Sequence, residues 1–341
     1  MRTASPIPIP TRNNFDLVRF SLAMTVCLVH ASILSAQPAL AIIQQVLSSE
    51  VAVQGFFAVS GFLIFMSYER SSSLESYAEK RARRLLPAYV TVIVFSAIVL
   101  RALSSAPQFY FTRDWWAYLA ANLSYLNFLH TDLPGVFQHN ELNAVNGALW
   151  TLKIEIAFYI AVPLFVWAIR RVGAAPVVVV TYLLSALYAA RVPGSLQHQL
   201  PGELRFFMAG TGCYYGWPAL QRRWRAIAAV AACVLVASKF LPLGLLIPAA
   251  VGSLTICAGM FCYLGDFGRY GDFSYGVYIL HFPIIQTLVQ GGVFLWSPWC
   301  ALLLTVVITV LGAVTLWYTI ESRFLHRHGS KFELARHPLH S

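Results

Sequence analysis

The chain has 341 residues, of which 58% are hydrophobic and only 11% are charged. Ordinary soluble proteins are about 45–50% apolar and about 25% charged, so a water-soluble globular fold is excluded. Aromatic residues make up 14% of the chain, which excludes disorder. The net charge is +10, but the basic residues lie in short stretches between apolar runs, where they orient a membrane protein rather than bind nucleic acid. The composition therefore predicts an all-α, polytopic integral membrane protein.

The apolar runs define the predicted spans in chain order. A bilayer core about 30 Å thick is crossed by about 20 apolar residues of helix. Ten runs fit this requirement: 15–35, 50–68, 86–104, 148–169, 174–190, 203–217, 225–239, 245–264, 274–294 and 299–319. A further stretch, 115–129, contains Trp115 and Trp116 and either crosses the membrane or lies along its surface.

The basic residues decide between these two topologies, because Lys and Arg are enriched in cytoplasmic loops. With ten spans, both termini are cytoplasmic and 102–147 lies outside. An eleventh span at 115–129 would place Arg170 and Arg171 outside, so ten spans are preferred. The outer side then carries four basic residues: Arg101, Arg113, Arg191 and Lys239.

This topology predicts three regions: a cytoplasmic leader at 1–14, one membrane domain at 15–320 and a cytoplasmic tail at 321–341. Asp16 and Arg19 interrupt the first apolar run, which disfavours a cleaved signal peptide. The six cysteines form no Cys-x-x-Cys pair, so we expect neither a zinc site nor a disulfide framework.

Four ionisable side chains inside predicted spans are the leading functional candidates, because charge is costly in lipid. They are Arg19, His30, Glu155 and His281. Eleven residues separate Arg19 from His30, about 16 Å along one face of a helix, and Asp16 is the expected partner of the arginine. This stripe predicts a polar central cavity. The alternative is that each residue makes an interhelical contact that only fixes packing.

Glu155 is expected at a depth similar to that of His30, about 10 Å below the outer surface. A carboxylate there could orient the imidazole or raise its basicity. The alternative is a structural ion pair of Glu155 with Lys153 or Arg205.

Three further segments carry candidates. Ser60-Gly61 in the second span indicates either a small-residue packing notch or an approach of ligand to backbone. The basic stretch 79–87 either orients the protein or, through Arg81 and Arg84, holds a phosphate. In the ninth span, residues at intervals of three share one helix face, which is expected in the cytoplasmic half: Tyr275, Tyr278 and His281.

In these residues the sequence resembles the acyltransferase family 3 membrane proteins, which O-acylate bacterial surface and secreted glycans. The resemblance runs from about Asn14 to Glu321. It rests on Arg19 followed eleven positions later by His30, and on four segments in the family order: 57–63, 81–87, 150–155 and 274–281. One departure is that Ser322 and Arg323 follow Glu321, where the family commonly has Glu-x-Pro.

The resemblance implies transfer of an acyl group, most often acetyl, from cytoplasmic acyl-CoA to a carbohydrate hydroxyl at the bacterial cytoplasmic (inner) membrane, without a metal. His30 would carry the catalytic imidazole, assisted by Arg19, with Asp16 and Glu155 as supporting candidates. Whether His30 is only a base or also carries the acyl group stays open. The donor-binding candidates are Arg81, Arg84, Ser60, Gly61, Tyr275, Tyr278 and His281. The oxyanion could be stabilised by one of the hydroxyls among them or by a backbone N–H.

Two alternatives come from other function classes. A transporter or flippase for a lipid-linked sugar should show broken helices in two similar halves, and the sequence has no internal repeat. A non-catalytic scaffold or sensor has no need for a histidine and a glutamate at matched depth.

Overall fold

The computed structural model describes residues 7–325. Within this range the chain is helical and contains no strand, which confirms the predicted all-α class. The predicted leader at 1–14 and tail at 321–341 fall partly outside the described residues.

Eleven helices of eleven or more residues form the described chain. They are α1 Phe15–Ser35, α2 Ser49–Glu69, α3 Leu74–Val99, α4 Arg113–Leu123, α5 Trp150–Val172, α6 Ala174–Arg191, α7 Leu200–Tyr215, α8 Trp217–Ala237, α9 Ile247–Phe261, α10 Ser274–Gln290 and α11 Pro298–Leu316. Shorter helical segments connect or extend them: Pro38–Leu40, Ala41–Val46, Leu100–Leu103, Pro107–Phe109, Gly147–Leu149, Gly194–His198, Phe267–Tyr270, Val293–Trp296, Trp317–Glu321 and Ser322–Leu325.

Local sequence signals explain several helix boundaries. The Ser48 hydroxyl caps α2 by accepting a hydrogen bond from the Val51 N–H at 3.2 Å. Gly173, with φ +95°, makes the turn between α5 and α6. Pro298 begins α11, where its missing N–H costs no hydrogen bond.

Helices occupy all ten of the predicted apolar runs. Among the described residues, six helical segments are long and apolar enough to cross a membrane: Phe15–Ser35, Pro38–Glu69, Leu74–Leu103, Gly147–Val172, Ala174–Arg191 and Pro298–Leu325. The other four helices are shorter, as in α7, α9 and α10, or carry several arginines, as in α8. Helix α4 has 11 residues and is therefore about 16 Å long, too short to span a bilayer.

The described chain divides into two compact units whose boundaries fall inside α1, α3 and α5. The first unit contains residues 7–26, 48–77 and 151–270. The second contains residues 27–47, 78–150 and 271–325.

In the first unit, α2 and α7 pack backbone to backbone. A side chain at Gly61 would overlap the carbonyl group of Phe207, and one at Gly210 would overlap that of Ala58. Small residues at such positions let helices approach closely in a membrane. The space beside Gly61 is thus filled by α7, which favours the packing interpretation of Ser60-Gly61 over an approach of ligand at Gly61.

Candidate active site

Two histidines meet in the second unit. The Nδ1 atom of His30, in α1, lies 2.8 Å from the Nε2 atom of His281, in α10. The rings stack with centroids 5.1 Å apart and planes 18° apart. His281 is fully buried, whereas His30 is partly exposed. The expectation that they occupy opposite halves of the membrane is wrong, because two rings in contact must lie at the same depth.

The hydrogen bonds assign a proton to each neutral ring. The Nδ1 atom of His281 lies 3.3 Å from the carbonyl oxygen of Val277, which can only accept, so this nitrogen donates. Nε2 of neutral His281 therefore carries a lone pair and accepts the N–H of His30 Nδ1. The Nε2 atom of His30 is left with a lone pair, as a general base requires.

Phe282 lies beside this pair and packs against the partly exposed ring of His30. Its ring meets that of His30 edge to face, with centroids 5.7 Å apart and planes 78° apart. It also occupies the space left by Gly147, where a Cβ atom would lie 2.7 Å from Phe282 Cζ. A larger residue at 147 would displace the phenyl ring and, through it, the imidazole of His30.

Side-chain amides attach the segment 102–147 to α10. The Nε2 atom of buried Gln286 donates to the carbonyl oxygen of Ala144 at 2.8 Å, and Asn140 Nδ2 donates to Gln286 Oε1 at 2.9 Å. Gln290 Oε1 accepts from the Phe137 N–H at 3.0 Å. Asn146 Nδ2 donates to the Ile279 carbonyl at 2.8 Å.

Sequence reasoning missed these anchors because it singled out no residue with an amide side chain. The signal that could have found them is a pair of glutamines, Gln286 and Gln290, four residues apart near the end of an apolar run. Four residues is one turn of a helix, so both amides face the same neighbouring segment.

The two tyrosines of α10 are hydrogen-bonded to backbone. Tyr275 donates to the carbonyl of Leu85 at 3.1 Å and Tyr278 to that of Ala148 at 3.3 Å. The Tyr278 ring also lies edge-on to His281, with centroids 5.8 Å apart. These contacts account for both tyrosines by packing; their role with the donor stays a prediction.

Arg84 is part of a charged network at the start of α10. Its guanidinium pairs with Asp272 and lies 3.6 Å from Oε2 of buried Glu321. Asp272 Oδ1 in turn accepts a hydrogen bond from the Ser274 hydroxyl at 2.5 Å. Removing one charge from such a network is destabilising, because the opposite charges stay buried with less compensation. Arg81 lies one turn before Arg84 in α3 and is partly exposed.

The first unit holds the other candidates. Arg19 Nη2 lies 2.5 Å from Asp16 Oδ1, which confirms the expected pairing. The Glu155 carboxylate accepts hydrogen bonds from the Tyr159 hydroxyl and, at 3.3 Å, from Ser60 Oγ. The support of Glu155 for His30 stays a prediction. Within residues 7–325 no three His, Cys, Asp or Glu side chains are grouped so as to hold a metal ion.

Known proteins give a consistent set of matches. The family described as "Acyltransferase domain" matches residues 12–318. The O-acetyl transferase of Shigella phage Sf6 is 27% identical over 94% of this chain and 98% of its own length. Nodulation protein 10 of Rhizobium leguminosarum bv. viciae is 27% identical over 91% of this chain and 92% of its own length.

A third relative is longer than this chain. The peptidoglycan O-acetyltransferase OatA of Listeria monocytogenes is 26% identical over 74% of this chain but only 48% of its own length. No solved structure gives a significant match. Since the family match covers nearly the whole chain and includes His30 and His281, this protein belongs to the acyltransferase family 3.

Proposed function

We propose that the protein is a membrane O-acetyltransferase that moves an acyl group from cytoplasmic acyl-CoA to a hydroxyl of a cell-envelope or secreted carbohydrate. The O-acetyltransferase relatives support the acyl group and the kind of acceptor. The observation that carries the proposal is the His30–His281 pair, which leaves a lone pair on the partly exposed imidazole. The transporter alternative has no support among these relatives.

The proposed reaction uses His30 Nε2 as base and then as acid. This nitrogen takes the proton of the sugar hydroxyl as its oxygen attacks the thioester carbonyl carbon. The carbon–oxygen bond forms, the tetrahedral intermediate collapses and the carbon–sulfur bond breaks. The departing thiolate of CoA then takes the proton from the His30 imidazolium. During the step in which His30 is charged, His281 Nε2 accepts its Nδ1–H and stabilises the cation.

The remaining candidates take supporting roles in this proposal. Arg19, held by Asp16, and Glu155, held by Ser60 and Tyr159, supply fixed charges to the reaction path. The phosphates of CoA would be costly to bury in lipid, so we place them near Arg81 at the cytoplasmic surface. Arg84 positions this region through Asp272 and Glu321.

The proposed setting is the bacterial inner membrane, with ten spans around a polar central cavity and both termini in the cytoplasm. The helices found in all ten predicted runs support this count. The length of α4 supports a surface position for 115–129.

The test compares the O-acetyl content of glycans from cells that carry the unaltered protein with that from cells that carry the His30→Ala variant. His30→Ala is expected to abolish glycan acylation while the amount of protein in the membrane stays near normal. The matched control is His139→Ala, which removes an exposed histidine of the segment 102–147 and should leave acylation intact. Normal acylation by a well-inserted His30→Ala protein would refute the proposed role of the histidine pair.

A further inference from the structure

Helix α8 is broken by a kink in its second turn. Arg223 has φ −124° and ψ 18°, which are not helical values, while the residues on both sides are helical. Kinks of this kind usually have an identifiable cause, such as proline, a glycine–serine pair or an inserted side chain. Neither proline nor glycine lies within four residues of Arg223.

An aromatic stack holds the kink in place. Trp217, before the kink, is parallel to the Phe261 ring of α9 with centroids 5.5 Å apart and planes 4° apart. Trp224, after the kink, is also parallel to it, at 5.1 Å and 7°. One phenyl ring therefore pairs with an indole from each side of the break. Stacked aromatic pairs stabilise a fold by more than the area that they bury would give. The two pairs therefore stabilise the kinked form of α8.

The kink opens a polar pocket. Its volume is about 360 Å³, and residues 221–226 line it. Three exposed arginines surround it: Arg222, Arg223 and Arg225. Within residues 7–325, no carboxylate lies within ion-pair distance of these guanidinium groups. The pocket thus presents three positive charges that the described protein does not neutralise.

An apolar groove continues from the polar pocket along α8 and α9. Its volume is about 470 Å³, and Arg223 lies at one end of it. The lining includes Ile227, Val230 and Val234 from α8 and Leu246 and Ala250 from the α9 side. Eleven residues separate Arg223 from Val234, about 16 Å along a helix. This length matches the hydrocarbon of one leaflet, half of a core about 30 Å thick.

We propose that this groove binds an anionic glycerophospholipid of the cytoplasmic leaflet. One acyl chain lies in the groove between α8 and α9, and the phosphate contacts Arg222, Arg223 and Arg225. The pocket matches the charge of the headgroup, and the groove matches the length of one chain. This site is independent of the proposed acyl transfer, because it uses none of the residues assigned to that reaction.

Orientation of the protein alone would explain the arginines, since basic residues are enriched at cytoplasmic helix ends. It does not explain why the helix breaks among them or why an apolar groove begins at the break. Arg170 and Arg171, at the end of α5, provide the comparison: they are basic and exposed but line neither cavity.

The experiment measures lipid binding to the purified full-length protein by native mass spectrometry in detergent. The probes are dioleoyl-phosphatidylglycerol, dioleoyl-phosphatidylcholine and the short-chain dihexanoyl-phosphatidylglycerol. The unaltered protein is expected to prefer the first to both others. In Arg222→Gln/Arg223→Gln/Arg225→Gln the affinity for dioleoyl-phosphatidylglycerol should fall roughly 100-fold, at about fivefold for each of the three cations lost near an anionic lipid. Arg170→Gln/Arg171→Gln is the matched control and should bind normally.

Three results would overturn the proposal. Equal binding of the two dioleoyl lipids by the unaltered protein would refute recognition of the anionic headgroup. Equal binding of the dihexanoyl and dioleoyl phosphatidylglycerols would refute binding of an acyl chain in the groove. A similar loss in the control and the triple variant would mean that the three arginines act only through total charge. The first two measurements need no variant, so they decide the matter even if the triple variant folds poorly.

Discussion

Replacing His281 by asparagine or by glutamine separates the two hydrogen bonds of its ring. The amide of asparagine reaches the position of Nδ1, next to the Val277 carbonyl, and loses the bond to His30. The amide of glutamine reaches the position of Nε2, where its oxygen can still accept the His30 Nδ1–H. The two variants are similar in size, so they differ mainly in which bond survives.

The expected difference follows from the charge that His30 carries in the proposed reaction. The bond from His30 Nδ1 to His281 is 2.8 Å long. Hydrogen bonds to charged groups contribute about 1.5–3 kcal/mol, which corresponds to a rate factor of about 10- to 150-fold. His281→Asn should therefore lower kcat by about that factor, while His281→Gln should keep most of the activity. The KM for acyl-CoA should be unchanged in both, because the bond strengthens only when His30 is charged.

The assay is release of the CoA thiol by purified protein, with acyl-CoA as donor and glycan isolated from the host cells as acceptor. The melting temperature of each variant serves as the control for folding. Equal kcat values for the asparagine and glutamine variants, at equal melting temperature, would refute the assignment of His281 as the acceptor of the His30 proton.

Three further predictions concern residues outside the histidine pair. Glu155→Gln keeps the size of the side chain and should lower turnover by roughly 10²–10⁴-fold; a loss of protein yield without a loss of turnover would instead indicate a structural role. Arg84→Ala should lower the melting temperature because it removes the positive charge beside buried Asp272 and Glu321, whereas Arg81→Ala should raise the KM for acyl-CoA; an unchanged KM in the second variant would contradict the phosphate site. Cysteines introduced at Ser72 and Ser104, in a protein whose exposed native cysteines are replaced by serine, should react oppositely with an impermeant thiol reagent applied to intact cells; equal labelling would contradict the predicted topology.

The positions of the helices could be predicted from the sequence because apolar runs are long and their boundaries carry strong signals. Gly173 and Pro298 are examples of such boundaries. The pairing of Arg19 with Asp16 was equally accessible, since three residues along a helix place side chains side by side. These features depend on local geometry that every helix shares.

The contact between His30 and His281 could not be predicted, because it depends on how deep each helix starts. The prediction assumed that the ninth span begins at the membrane surface. Helix α10 has 17 residues and His281 is its eighth, close to the middle of the helix rather than in one half. The assigned tautomer was inaccessible for the same reason, since it depends on which nitrogen faces the partner ring.

The amide anchors between α10 and the segment 102–147 have a consequence for exchanging this segment with that of a relative. Asn140 and Asn146 bond the segment to the helix that carries His281, and Gly147 leaves room for a side chain of that helix. A graft that replaces these three residues would therefore shift the histidine pair. Exchanges confined to residues before Asn140, with Phe137 retained because its N–H bonds to the same helix, should leave the pair in place.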